Sequence, residues 1–205
     1  MTHDTTDGFD PSRRTFLRCA ALGLIAGAAL PGALPAHASG PAQRGRKILT
    51  AFYSHTGNTR TVAGHLRDLA GGDFARIEPA NPYPADYGAT SRRVKEERAS
   101  GVRTPLTTKV DHLDAYDVIC IGSPCWFDSI AVPVASFLSG YDFSGKVVAL
   151  FMTHGGSGLG EAMTDVPKLC PGAKIAQGLA IRGDAVNAAA SREDVARWLR
   201  GLGMV

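Results

Sequence analysis

The run Ser54-His55-Thr56-Gly57-Asn58-Thr59 is the part of this 205-residue chain best equipped for chemistry. It directly follows an apolar stretch, Lys47-Ile48-Leu49-Thr50-Ala51-Phe52-Tyr53. It directly precedes a helical pattern in which Val62, Leu66, Leu69 and Ala70 recur at i, i+4, i+7 and i+8. A buried strand, a hydroxyl-rich loop and a helix start are therefore expected in succession. A helix N-terminus has unpaired backbone N–H groups and a partial positive charge. Hydroxyl donors and a glycine that lets the backbone come close complete a cradle for a phosphate. The loop holds no lysine, so it is not the Gly-Lys-Ser/Thr loop of nucleoside triphosphate sites. The alternative is a hydroxyl-rich helix cap that binds nothing.

Two further loops carry unusual residue types. Gly122-Ser123-Pro124-Cys125-Trp126-Phe127-Asp128 follows the apolar run Asp117 to Gly122. Adjacent aromatic rings in a loop need a reason to be there, and stacking on a flat ligand is one. Plugging the next helix onto the sheet is the other. Thr153-His154-Gly155-Gly156-Ser157-Gly158 follows the apolar run Lys146 to Met152. Its glycines permit close backbone approach to a ring edge, or else make a flexible turn. It does not continue as a dinucleotide fingerprint, since Glu161 stands where the third glycine would be. Cys125 and His154 would make a nucleophilic pair only within hydrogen-bond reach of each other. Ser123 lacks the frame of a nucleophile elbow.

Strands and helices alternate around these loops. Phe74 to Glu78 reads as a second strand, and Pro79, Pro82 and Pro84 then impose a loop. A polar helix is expected from about Asp86 to Ala99, ending at Gly101. A third helix carries Val134, Phe137, Leu138 and Tyr141, and a fourth spans about Leu159 to Leu169. The fifth strand falls in Ala173 to Ile181, interrupted near Gly178. The last helix is expected to open at Ser191 and to bury Val195, Trp198, Leu199 and Leu202. Apolar runs without alternation mean strands covered on both faces, hence an α/β fold with a doubly wound parallel sheet. In such sheets ligands sit beyond the carboxyl ends of the strands, at the switch point. With strand order 2-1-3-4-5, that point lies between the first and third strands.

Taken in order, the Ser54–Thr59 loop, the Gly-Ser-Pro-x-Trp-aromatic loop and the Thr-His-Gly-Gly-Ser-Gly-Leu-Gly loop resemble those of the flavodoxin-like family. They are most similar to its short bacterial flavoproteins, over residues 46 to 205. The resemblance implies a five-stranded sheet of order 2-1-3-4-5, helices on both faces and noncovalently bound FMN. It implies that Ser54, His55, Thr56, Gly57, Asn58 and Thr59 hold the phosphate. Ser123, Pro124, Cys125, Trp126 and Phe127 would flank the ribityl chain and ring, with Trp126 stacking. Thr153, His154, Gly155, Gly156 and Gly158 would line the pyrimidine edge. Electron transfer to or from a redox protein or quinone-type molecule is the expected function. The alternatives are an FMN-dependent reductase of quinones or other small acceptors, and a module of this fold without flavin.

The N-terminus reads as an export signal. Ser12-Arg13-Arg14-Thr15-Phe16-Leu17-Arg18 carries a twin arginine, Cys19 to Leu34 is mildly apolar, and Ala36-His37-Ala38 is an A-x-A cleavage pattern. Residues 1–38 are thus expected to be a twin-arginine signal peptide, 39–45 a lead-in and 46–205 one domain. The expected location is the bacterial periplasm or outside the cell, with no stable membrane insertion after cleavage. The apolar run is short and broken by Pro31 and Pro35. Net charge is +3. Removing Arg13, Arg14 and Arg18 together with Asp4, Asp7 and Asp10 leaves it unchanged. This departs from the acidic electron carriers of the family. The charges form no nucleic-acid stripe. Cys120, Cys125 and Cys170 remain after cleavage, an odd number at irregular spacing that is no disulfide framework, and no metal motif is present.

Overall fold

The apolar runs become the centre of one sheet, because each buries both of its faces. The structure is a computed structural model and describes residues 45–205. The signal reading of residues 1–38, and the lead-in up to residue 44, lie outside the described residues. The elements are β1 (Ile48–Phe52), α1 (Asn58–Ala70), β2 (Asp73–Arg76), α2 (Tyr87–Ser100), β3 (Val118–Trp126) and β4 (Ser129–Ile130). They continue with α3 (Val132–Ser139), β5 (Val147–His154), α4 (Ala162–Leu169), β6 (Lys174–Ile175), β7 (Leu179–Arg182) and α5 (Ala189–Gly201).

The strands run β2-β1-β3-β5-β6, with parallel pairing along this path. β7 also pairs in parallel with β5, so β6 and β7 are two halves of one edge position. The expected order 2-1-3-4-5 is met, and the break near Gly178 divides the last strand. Side chains alternate between two cores. Leu49, Ala51, Ile119, Ile121, Val148 and Leu150 face Val134, Phe137 and Leu138 of α3 and Val166 of α4. Ile48, Phe52, Val118, Cys120, Ala149 and Phe151 face Val62 and Leu66 of α1 and Val195 and Leu199 of α5. Each large side chain so buried contributes about 1.5–3 kcal/mol.

Helix ends show where local signals suffice. Asp86 caps α2, its Oδ1 accepting from the Ala89 amide at 2.7 Å, and Gly101 closes the helix at φ 64°. Ser191 does not cap the last helix. α5 starts earlier, from N-cap Ala188, which places Ser191 inside the first turn and buried, with no hydrogen-bond partner for its Oγ among the described residues. Tyr141 lies beyond the end of α3 but keeps its ring on Phe137, centroids 4.8 Å apart. No helix of the described residues is long and apolar enough to cross a membrane.

The largest departure concerns the loop after the third strand. β3 extends through Ser123, Pro124 and Cys125 to Trp126 and folds back on β4 as an antiparallel hairpin. Trp126 pairs with Ser129, leaving Phe127 and Asp128 as a two-residue turn with φ of 49° and 60°. Consecutive positive φ values match the turn that suits the twist of a hairpin. Sequence periodicity missed it because neither residue is glycine.

Candidate functional site

The carboxyl ends of β1, β3 and β5 lie side by side, and each sends one of the three loops to the same edge. After β1, Gly57 takes φ 101° as the N-cap of α1. A glycine is suited to this position because other residues rarely adopt that φ. It has no side chain to cover the amides of Asn58 and Thr59. The Ser54 hydroxyl accepts from the Arg60 amide at 3.2 Å and keeps its own hydrogen to donate. Thr59 is buried, with Oγ1 2.8 Å from Thr153 Oγ1 at the end of β5.

After β3, the hairpin turn is held from outside. The Arg98 guanidinium donates to the carbonyls of Trp126 at 2.9 Å, Ile130 at 3.1 Å and Phe127 at 3.2 Å. The Asp128 carbonyl accepts from the Glu161 amide. Gly160 passes directly over that carbonyl at φ 48°, where a Cβ would come within 2.1 Å of the oxygen. The glycine loop after β5 is therefore seated on the hairpin.

Trp126 is packed edge-on among three rings: Tyr83 at 4.9 Å, Tyr53 at 5.4 Å and His55 at 5.8 Å between centroids. Tyr83 is itself fixed. Its hydroxyl hydrogen-bonds Glu97, which pairs with Arg93 at 2.8 Å, and the Arg93 guanidinium lies 4.0 Å over the Tyr83 ring. Burial, then the Glu97 contact, pushes the Tyr83 phenol well above its ordinary pKa. Burial, then the charge of Glu78, does the same for Tyr53. Both phenols therefore keep their protons at neutral pH and pack as uncharged rings.

Two clefts open at this edge. The larger, about 520 Å³, is lined by His55, Thr56, Pro124, Cys125, Trp126, Phe127, Gly155 and Gly156, and by Ala85 and Tyr87. The smaller, about 350 Å³, is lined by Thr56, Asn58, Thr153 and His154, and by Arg182, Gly183 and Asp184. They share Thr56, Pro124, Cys125 and Gly155. Such volumes suit a small ligand.

The remaining expected site residues are placed differently. Ser54 lines a third hollow toward β2, with Tyr53 and Tyr83, which meets the larger cleft at His55, Thr56 and Ala85. Gly57 and Gly158 form turns at positive φ. Ser123 is fully buried, its Oγ accepting from the Ala131 amide and donating to the Pro124 carbonyl, both at 2.8 Å. It closes the hairpin beneath the cleft. Cys125 and His154 make no hydrogen bond to each other: Nδ1 of His154 is buried without a partner among the described residues, and the thiol meets Ser157. Burial, followed by the charge of Asp128, raises the Cys125 pKa. No group of three His, Cys, Asp or Glu side chains comes together as metal ligands among the described residues.

Four residues lay beyond the sequence motifs. Tyr83 and Tyr87 come from the proline loop and the start of α2, and Tyr87 is 84% exposed at the cleft mouth. Arg182 ends β7 and Asp184 lies in the turn that follows it. The strand order itself was the signal for these two, since it brings the end of the last strand beside β5.

A flavodoxin family model matches residues 47–202. The chain belongs to the flavodoxin family. It is similar to the solved structure of a candidate flavoprotein from Bacteroides uniformis, with 32% identity, 77% of this chain and 99% of that chain covered, and a TM-score of 0.67. A candidate flavoprotein from Bacteroides eggerthii has 30% identity, covers 77% and 98%, and has a TM-score of 0.68. A Lactobacillus acidophilus flavoprotein solved in complex with FMN shares the fold at 22% identity, covers 75% and 98%, and has a TM-score of 0.58. A search of curated proteins finds no match. FMN is the cofactor that the flavodoxin family implies, and the donors present fit it. A helix N-terminus whose N-cap Gly57 offers no capping side chain, with hydroxyls beside it, suits the phosphate. Beside it, a cleft with one aromatic wall and glycine backbone suits a flat ring.

Proposed function

We propose that this flavodoxin transfers electrons through noncovalently bound FMN. The observation that carries the reading is the continuity of the two clefts through Thr56, Pro124, Cys125 and Gly155. It joins an anion site to an aromatic site in one trench. The amides of Asn58 and Thr59 and the hydroxyls of Ser54 and Thr56 receive the phosphate. Pro124 and Cys125 border the connecting chain, Trp126 and Phe127 border the ring, and Thr153 to Gly158 offer backbone groups to its polar edge. Bound FMN supplies the electron chemistry, and the protein tunes its potential. No side chain here is needed as a catalytic acid or base.

The reading includes export. It is supported by the order of twin arginine, apolar stretch and Ala36-His37-Ala38 in the sequence. An exported carrier exchanges electrons with another redox protein or with a quinone-type molecule. NAD(P)H is expected to be scarce there, which disfavours an NAD(P)H-dependent reductase.

The decisive test is reconstitution. Purified protein mixed with FMN is expected to quench the flavin fluorescence, to retain a yellow chromophore through gel filtration and to be bleached reversibly by dithionite. Protein that stays colourless overturns the reading. Steady-state oxidation of NADPH with a quinone would assign the reductase instead. Fractionation of cells expressing the full chain, with and without Arg13→Lys and Arg14→Lys, tests export.

A further inference from the structure

The trench contains one cationic side chain among the described residues lining either cleft, and it is Arg182. We infer that Arg182 selects phosphorylated flavin over its uncharged counterpart, and that Asp184 sets the strength of that selection. The inference rests on the FMN reading above.

Three features place Arg182 for this task. It ends β7, pairing through His154 with the end of β5, so the strand order fixes its position beside the phosphate loop. The turn that follows is tied down, the Gly183 amide donating to the His154 carbonyl at 2.9 Å. Gly183 also lets this turn approach the first residue of α1, since a Cβ there would lie 2.6 Å from Asn58 Nδ2. The guanidinium is thereby carried by a backbone packed against the helix N-terminus.

Asp184 occupies only part of the guanidinium. Its carboxylate accepts from Nε at 3.2 Å and from Nη2 at 3.0 Å. A guanidinium has five N–H donors, so three remain for a phosphate oxygen. The pair is largely exposed, 60% and 67% for the two side chains, so it is loose enough for Arg182 to turn toward an anion. The carboxylate attenuates the positive field and opposes a phosphate at the same time. Amides and hydroxyls alone can bind a phosphate. The added cation makes binding depend on the phosphate charge, which amides serve less steeply.

The experiment measures dissociation constants for FMN and riboflavin by flavin fluorescence quenching, at low and high salt, for the wild type and three variants. Arg182→Gln is expected to weaken FMN about tenfold and to leave riboflavin within about twofold. Arg182→Lys should recover part of the loss. Asp184→Asn should strengthen FMN while leaving riboflavin unchanged, and salt should erode the wild-type preference more than that of Arg182→Gln. Equal loss of both flavins in Arg182→Gln, or weaker FMN binding in Asp184→Asn, overturns the inference by showing that the turn acts only as a support. A wild type that binds neither flavin overturns the FMN reading itself. Circular dichroism of each variant checks that the fold is intact.

Discussion

Thr59 and Thr153, 94 residues apart in the chain, place their hydroxyl oxygens 2.8 Å apart inside the protein. The bond ties the first turn of α1 to the end of β5, and so fixes the Ser54–Thr59 loop to the centre of the sheet. Two hydroxyls sharing one hydrogen bond retain one hydrogen, which either can turn toward a neighbouring acceptor.

The pairing predicts a specific pattern of stability. Thr59→Val or Thr153→Val leaves one buried hydroxyl without its partner and should cost about 1–2 kcal/mol each. Replacing both leaves two apolar groups of similar shape, so the double variant should cost no more than the worse single one. Urea unfolding of all four proteins checks this. Additive losses would show that the two hydroxyls act separately.

Trp126 predicts a ligand effect that exceeds its structural one. Its ring already packs against Tyr83, Tyr53 and His55. Trp126→Phe should keep most of the cleft wall, whereas Trp126→Ala should weaken FMN about tenfold. The check is fluorescence quenching at matched fractions of folded protein. Equal affinity in the alanine variant would mean that the ring only braces the hairpin.

Most of this architecture was legible because the central strands are continuous apolar runs and α1 and α5 have periodic apolar faces. The loop between β1 and α1 was legible for a local reason: a glycine and hydroxyls stand immediately before the α1 pattern. What escaped was set by distant contacts. The Phe127–Asp128 turn has no turn glycine and is secured by Arg98, a residue of another element. Ser191 has a capping side chain, but α5 begins earlier, at Ala189. Tyr87 and Arg182 reach the clefts only because the sheet order brings their loops beside β1 and β5. No local spacing rule contains that information.

The hairpin turn predicts a trade between stability and binding. Phe127 holds φ 49°, a left-handed conformation that is costly for a bulky side chain. Phe127→Asn should stabilise the protein by about 0.5–1 kcal/mol, since asparagine tolerates that conformation. It should also weaken FMN, because the ring lining the cleft is removed. Thermal unfolding without flavin, compared with FMN titration, separates the two effects. A variant that lost stability would show that the ring's contacts with Lys95 and Arg98 outweigh the backbone strain.

Cys125 predicts a pH dependence with a defined sign. Burial first, and the Asp128 carboxylate second, raise its pKa above the ordinary thiol value of about 8.5. The thiol is therefore neutral at pH 7 and a poor nucleophile, and its alkylation by iodoacetamide should be slower than that of free cysteine. The rate should climb only as pH passes beyond the ordinary thiol range. Asp128→Asn removes the smaller cause, so it should speed alkylation modestly at fixed pH. Cys120 and Cys170 do not compete, since burial pushes them to about 12 and about 11. The same shift links to stability. A raised folded pKa gives a contribution fully present below the unfolded value and lost as pH rises through the folded one. Cys125→Ser should remove that alkaline loss. FMN should protect Cys125 from alkylation in the wild type, because the residue borders both clefts. Labelling unaffected by FMN would place the flavin outside the trench.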